Sequence, residues 1–123
     1  MSTIIVGWDT SALYSGIKGC WRAKLAENEG INGVGTSRQT ALQAFLKTAQ
    51  SQGFSGDVTE YNVQYEETVN VHATTGSEDF GGTRLIVERC PYCQGRHVHH
   101  TRFRDESFNR MAECLQGEYH MVL

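Results

Sequence analysis

At 123 residues and 13.8 kDa the chain has the length of one domain, or of one domain with a small appendage. Its 39% apolar content allows one modest core, and eleven Lys and Arg against fourteen Asp and Glu leave a net charge of -3, which argues against polyanion binding by bulk attraction. No stretch approaches the roughly 20 apolar residues of a membrane helix, and MSTIIVGWD has neither the basic start nor the apolar run of a signal peptide. A small cytoplasmic protein of α+β class is expected.

Residues 1–50 read as a β-β-α unit. IIVGW (4–8) is a short strand, and the stretch from Tyr14 to Gly19 carries two glycines, Gly16 and Gly19, that suit a turn. In CWRAKL, Trp21, Ala23 and Leu25 alternate with Arg22 and Lys24, the period of a strand with one buried face. ENEGINGVGT reads as a glycine-rich loop, and Thr36 and Ser37 follow it as helix N-cap candidates. Leu42, Phe45, Leu46 and Ala49 then form one apolar stripe on a helix ending near Gly53.

The string WRAKLAENEGINGVGTSRQTALQAFLKTA resembles the N-terminal signature of HicB-type antitoxins, with Ala23, Gly30, Gly35, Thr36, Ala41, Leu42 and Ala49 at the matching positions. The resemblance implies a small antiparallel β-sheet with one main helix packed on a face, and it implies a homodimer, because such sheets often pair through an edge strand. HicB proteins usually add a C-terminal DNA-binding helical module, and nothing in this chain looks like one. The expected division is a HicB-like unit over 1–56 and a β-rich region over 57–123, packed together as one compact unit.

Residues 57–79 carry Asp57, Glu60, Glu66, Glu67, Glu78 and Asp79 and no Lys or Arg. VTEYNVQYEETVNVHATT is nonetheless rich in Val, Thr and Tyr, a strand composition rather than that of a disordered acidic tail. An antiparallel hairpin or a long edge strand with a solvated acidic face is expected, and the same acids offer a surface for a basic partner. TGSEDFGG (75–82) is a turn cluster that leads into the strand-like RLIVERC. Between 84 and 110, Arg84, Arg89, Arg96, Arg102, Arg104 and Arg110 outnumber Glu88, Asp105 and Glu106, so the chain is acidic in its middle and basic after it.

The strongest chemical signal is CPYCQGRHVHH (90–100). A CPxC step resembles a zinc knuckle, a tight turn that brings two thiolates and several backbone N–H groups to one ion. Zinc takes four nitrogen or sulfur ligands in a tetrahedron. Cys90 and Cys93 supply two; His97 and His99, two residues apart on a strand, share a face and compete for a third place. Cys114 is the natural distant ligand, and His120 stands in reserve. The stretch resembles small zinc-ribbon proteins of phages and other mobile elements, the matching residues being Cys90, Pro91, Tyr92, Cys93, His97, His99, Arg110, Cys114, Gly117 and Tyr119. Two departures stand out: Gln94 occupies the place of the glycine that normally follows the knuckle, and Glu113 precedes Cys114 where a histidine is frequent.

Competing readings of the cluster are weaker. A redox CxxC needs Cys90 to open a helix after a strand, and no βαβ pattern surrounds it. The zinc deaminases carry an H-x-E, whereas His72 is followed by Ala73 and Thr74. GINGVG lacks the spacing and the Lys-Ser/Thr of a phosphate loop. No Ser-His-Asp set can be assembled, and Cys20, at the head of a strand, reads as a buried thiol.

These features point to a non-enzymatic protein with a structural zinc that binds and neutralises a protein partner, a toxin or a host defence complex being what the two resemblances imply. One alternative is nucleic-acid binding through the arginine-rich ribbon, with Arg96, Arg102 and Arg104 gripping phosphates and Phe103 stacking a base. Another is a small metal-dependent hydrolase that uses the spare histidine.

Overall fold

The computed structural model describes residues 1–77, 83–101, 109–112 and 114–122. The chain is α+β, with one α-helix among the described residues and sheets in which antiparallel pairs predominate. It divides into two units: residues 1–9 with 20–67, and residues 10–19 with 68–123.

The first unit is a four-stranded sheet of order β3-β2-β1-β4 with a helix on one face. β1 (Ser2–Tyr14) and β2 (Ile17–Leu25) are joined by Ser15 and Gly16, both at positive φ (54° and 82°), the two-residue geometry that matches the twist of a hairpin. The alternation in CWRAKL is real: Trp21, Ala23 and Leu25 are buried, while Arg22 and Lys24 are half-exposed. On the other face Arg22 ties three strands together, its Nε donating to Asp9 (2.9 Å) and its Nη1 to Asn32 (2.7 Å).

ENEGINGVGT is a strand and not a loop. β3 (Asn28–Gly35) pairs antiparallel with β2, Ala23 opposite Gly33 and Trp21 opposite Gly35, so the unit opens β-β-β-α. Its glycines serve a close approach. A Cβ on Gly33 would lie 2.2 Å from the Phe45 backbone nitrogen, and one on Gly35 would lie 2.3 Å from Thr40 Oγ1. The helix, α1 (Arg38–Ser51), therefore rests directly on the β3 backbone.

Ser37 caps α1 in a capping box with Thr40. Gly53 (φ 87°) ends it, with Gly53 N–H on Gln50 O and Phe54 N–H on Ala49 O, the pairing of a Schellman motif. The fully buried seam is Ala41, Phe45 and Ala49; Leu42 and Leu46 lie half-buried on its flank. Small residues hold the centre because the glycine-lined strand comes so near. Phe45 meets Tyr61 edge-on at 5.6 Å.

After a 3-10 turn (Val58–Glu60), β4 (Tyr61–Tyr65) pairs in parallel with β1, from Ser2 opposite Tyr61 to Val6 opposite Tyr65. A parallel neighbour requires a crossover, which α1 supplies. In place of the expected hairpin or long edge strand, the segment from 57 on holds three short strands in three different sheets, at 61–65, 70–72 and 74–77, the first of them a parallel edge strand. β4 completes the first sheet, and the first unit runs to Glu67.

The second unit holds two three-stranded sheets. In one, β10 (Glu118–Val122) runs parallel to β5 (Asn70–His72) and antiparallel to β9 (Asn109–Met111). In the other, β6 (Thr74–Ser77), β7 (Thr83–Val87) and β8 (His97–Thr101) form an antiparallel set. Val69, Val71, Ala73, Leu85, Val87, Ala112, Tyr119 and Met121 are buried. The Arg89 guanidinium is buried too, and its Nη1 donates to the carbonyls of Tyr14 (2.8 Å) and Gly19 (3.0 Å), fixing the tip of the first hairpin.

Candidate metal centre

β7 and β8 are joined by residues 88–96, which fold into a tight turn. Cys90 N–H donates to Gly95 O (2.8 Å) and Gln94 N–H to Cys90 O (2.9 Å). Tyr92 N–H reaches Cys90 Sγ and Gly95 N–H reaches Cys93 Sγ, each at 3.4 Å, so backbone dipoles are aimed at both sulfurs. Gln94 carries the left-handed conformation (φ 65°) that a glycine normally takes after such a step.

The loop between β9 and β10 closes over the same span. Ala112 N–H donates to Gly117 O (2.9 Å), Leu115 N–H to Ala112 O (2.8 Å), and Leu115 is left-handed (φ 60°). Cys114 sits in this loop. Tyr92 clasps the two turns together: its hydroxyl donates to the Glu118 carbonyl, and its ring lies where a Cβ on Gly117 would be, 2.6 Å from Cζ. Only glycine at 117 admits the ring.

This clasp brings Cys90, Cys93, His97 and Cys114 into one cluster whose ligand atoms all lie within 4.8 Å of one another. Cys90 Sγ is 3.8 Å from Cys114 Sγ, and Cys93 Sγ is 3.2 Å from His97 Nε2. All three cysteines are free thiols, and three sulfurs with one imidazole could hold a metal ion. Three ligands come from the β7–β8 connection and the start of β8, the fourth from the other sheet. An ion there would join the two sheets of the second unit.

The thiols differ in acidity. Burial pushes Cys90 up to about 12, against the pull of the Cys93 and Tyr92 N–H groups. At Cys114 burial acts in the same upward direction, but the Gln116 N–H and the Cys90 and Cys93 thiols outweigh it and hold the group below its usual value. A cation entering the cluster must therefore displace a tightly held proton from Cys90. Cys90 opens a turn and no helix, so the geometry that activates a redox CxxC is missing.

His97 and His99 share a buried face of β8, but only His97 joins the cluster. His99 Nε2 bonds the Tyr119 hydroxyl on β10, with the rings edge-on at 5.5 Å. His120 lies on β10 and also stands outside the cluster. Arg96 is exposed and pairs with Glu88 at 3.7 Å, while Arg102 and Arg104 fall outside the described residues, as does Glu113. The sequence did not single out Arg89 as a structural clamp or His99 with Tyr119 as a pair; both depend on contacts between distant segments that no local pattern announces.

No helix among the described residues is long and apolar enough to cross a membrane. Comparison of the chain with protein-family models, with curated proteins and with solved structures returns no match in any of the three.

Proposed function

We propose that this is a non-enzymatic zinc-binding protein whose metal is structural and whose work is the recognition of a protein partner. The observation that carries the reading is the convergence of Cys90, Cys93, His97 and Cys114. A tetrahedron with zinc–sulfur bonds of about 2.3 Å has sulfur–sulfur edges of about 3.8 Å, and the Cys90–Cys114 separation is 3.8 Å. Four protein ligands complete that tetrahedron. A catalytic zinc keeps a position for water or substrate, and this ligand set offers none.

Of the three arginines on which the nucleic-acid reading draws, Arg96 faces Glu88 at 3.7 Å, and Arg89 in the same basic run holds backbone carbonyls. The acids of residues 57–67 are solvent-facing and suit a basic protein surface. The resemblances to HicB-type antitoxins and to small phage zinc ribbons give that recognition its sense, the neutralisation of a toxin or of a host defence complex by a protein of mobile-element type.

Zinc in the purified protein, measured by plasma mass spectrometry, is expected at about one ion per chain, with an X-ray absorption spectrum of three sulfurs and one nitrogen. Capture of tagged protein from lysate, in nuclease-treated and untreated halves, is expected to retain the same protein partner in both. A chain that purifies without zinc overturns the metal reading. Co-eluting nucleic acid that is lost with salt overturns the partner reading in favour of the arginine-rich segment.

A further inference from the structure

We propose that the open edge of β4 takes up an extended, basic segment of the protein partner by strand addition. The inference rests on the recognition role proposed above and assigns it a place. β4 is the last strand of its sheet. Glu66 N–H bonds to the Val6 carbonyl at 2.9 Å. Alternation along a parallel ladder then turns the backbone groups of Asn62 and Gln64 toward β1 and those of Val63 and Tyr65 toward the open side. The row they form is a template for another strand.

Exposed edges are ordinarily blunted by Lys, Pro or a bulge. YNVQY contains no charge and no Pro, and its register with β1 is unbroken. The opposite edge differs, because the β2–β3 ladder shifts register at Lys24/Leu25 and Lys24 is paired with Glu29 there. Asn62, Gln64 and Tyr65 are exposed, Tyr65 by 53%.

Charge selects the occupant. Asp57, Glu60, Glu66 and Glu67 bracket the strand, and residues 57–67 contain no Lys or Arg. The Thr59 N–H and hydroxyl hold the Asp57 carboxyl below its usual range, and the group is fully exposed. Arg38 is the cation nearest the strand that the structure shows against it, over the Tyr65 ring at 5.8 Å, and one positive charge against four acids leaves the surface negative. A second copy pairing through its own β4 would set these carboxylates against their duplicates, which is unfavourable. A strand with Lys or Arg at alternate positions meets them instead with opposite charge.

The test is fluorescence anisotropy of the full-length, zinc-loaded chain with a fluorescein-labelled peptide of alternating Lys and Val. Binding is expected, and it is expected to weaken about tenfold with Val63→Pro, which removes an outward N–H but none of the bonds to β1. N-methylation of alternate peptide amides should weaken binding to the same degree, and this arm requires no change in the protein should V63P misfold. Glu60→Lys with Glu67→Lys should weaken it too and flatten its salt dependence. No binding overturns the inference. So does binding indifferent to N-methylation, which would mean attraction to charge alone. A chain that self-associates in sedimentation and loses this with V63P makes a second copy the occupant, and that result overturns the inference as well. Zinc is measured in the same sample: a fully loaded chain that ignores the peptide refutes only the edge assignment, and an unloaded one refutes the proposed function.

Discussion

The two buried histidines of β8 provide a sharp test, because they are two residues apart, share a face and have different partners. In the proposed zinc site His97 supplies one of four ligand atoms, and structural zinc sites bind with roughly 10–16 kcal/mol in all. Replacing His97 by Ala thus removes about 3 kcal/mol or more of metal affinity, weakening zinc by about a hundredfold or more. His99 bonds the Tyr119 hydroxyl, which lies on a residue only 2% exposed. His99→Ala leaves that hydroxyl buried without this partner, a loss of about 1–3 kcal/mol in stability, and opens a cavity besides. Zinc affinity by chelator competition and unfolding by urea, read on both variants, should therefore separate. H97A loses metal first; H99A keeps the metal with a lower unfolding midpoint. Equal zinc loss in the two variants, or loss confined to H99A, would refute the assignment of the fourth ligand.

Gly33→Ala should destabilise the first unit by about 1–3 kcal/mol, since the added Cβ meets the Phe45 nitrogen at 2.2 Å and must lift the helix. Gly30→Ala, whose nearest neighbour is the Asn28 side chain at 3.2 Å, is the near-neutral control in the same thermal melts. Arg89→Met should release the tip of the first hairpin, and hydrogen exchange of residues 10–19 should quicken while the amides of residues 2–6 and 61–65, the ladder between β1 and β4, keep their protection.

Much of this was legible in the chain, for reasons particular to each part. Ser37, the Phe45 and Ala49 positions and Gly53 define the helix because caps and periodicity are local physics. Cys90 and Cys93 were visible for the same reason: the turn that gathers two thiols is encoded in four consecutive residues. β3 was not, because glycine has the same appearance whether it makes a turn or admits a helix, and only the position of Ala44 and Phe45 decides. The apolar stripe was slightly misphased by the same fact, with Ala41 replacing the leucines at the centre of the seam. Period two could not separate His97 from His99; the Tyr119 hydroxyl does so from twenty residues away. The arginine-rich run suggested phosphate contacts, yet Arg89 serves carbonyls seventy and more residues earlier in the chain.

The clasp explains why the proposed metal would be needed where it lies. Sheets of three short strands are marginal alone, and the second unit has two of them, of which β5 and β9 are three residues each. Tyr92 and His99 reach across from one sheet to the loop and strand of the other, each with a hydrogen bond and a ring contact. An ion held by Cys90, Cys93 and His97 on one side and by Cys114 on the other joins the same two sheets with four strong bonds. Stripping zinc should therefore unfold the second unit and leave the first, whose core of Phe45, Tyr61, Ile4 and Val6 holds no metal ligand. Amide exchange after chelation reads this directly: protection should vanish in β7, β8, β10 and residues 10–19, and persist in α1, β3, β4 and the parts of β1 and β2 within residues 2–9 and 20–25. Uniform loss across both units would mean that the metal supports the whole chain, and unchanged protection would mean that the two sheets hold together without it.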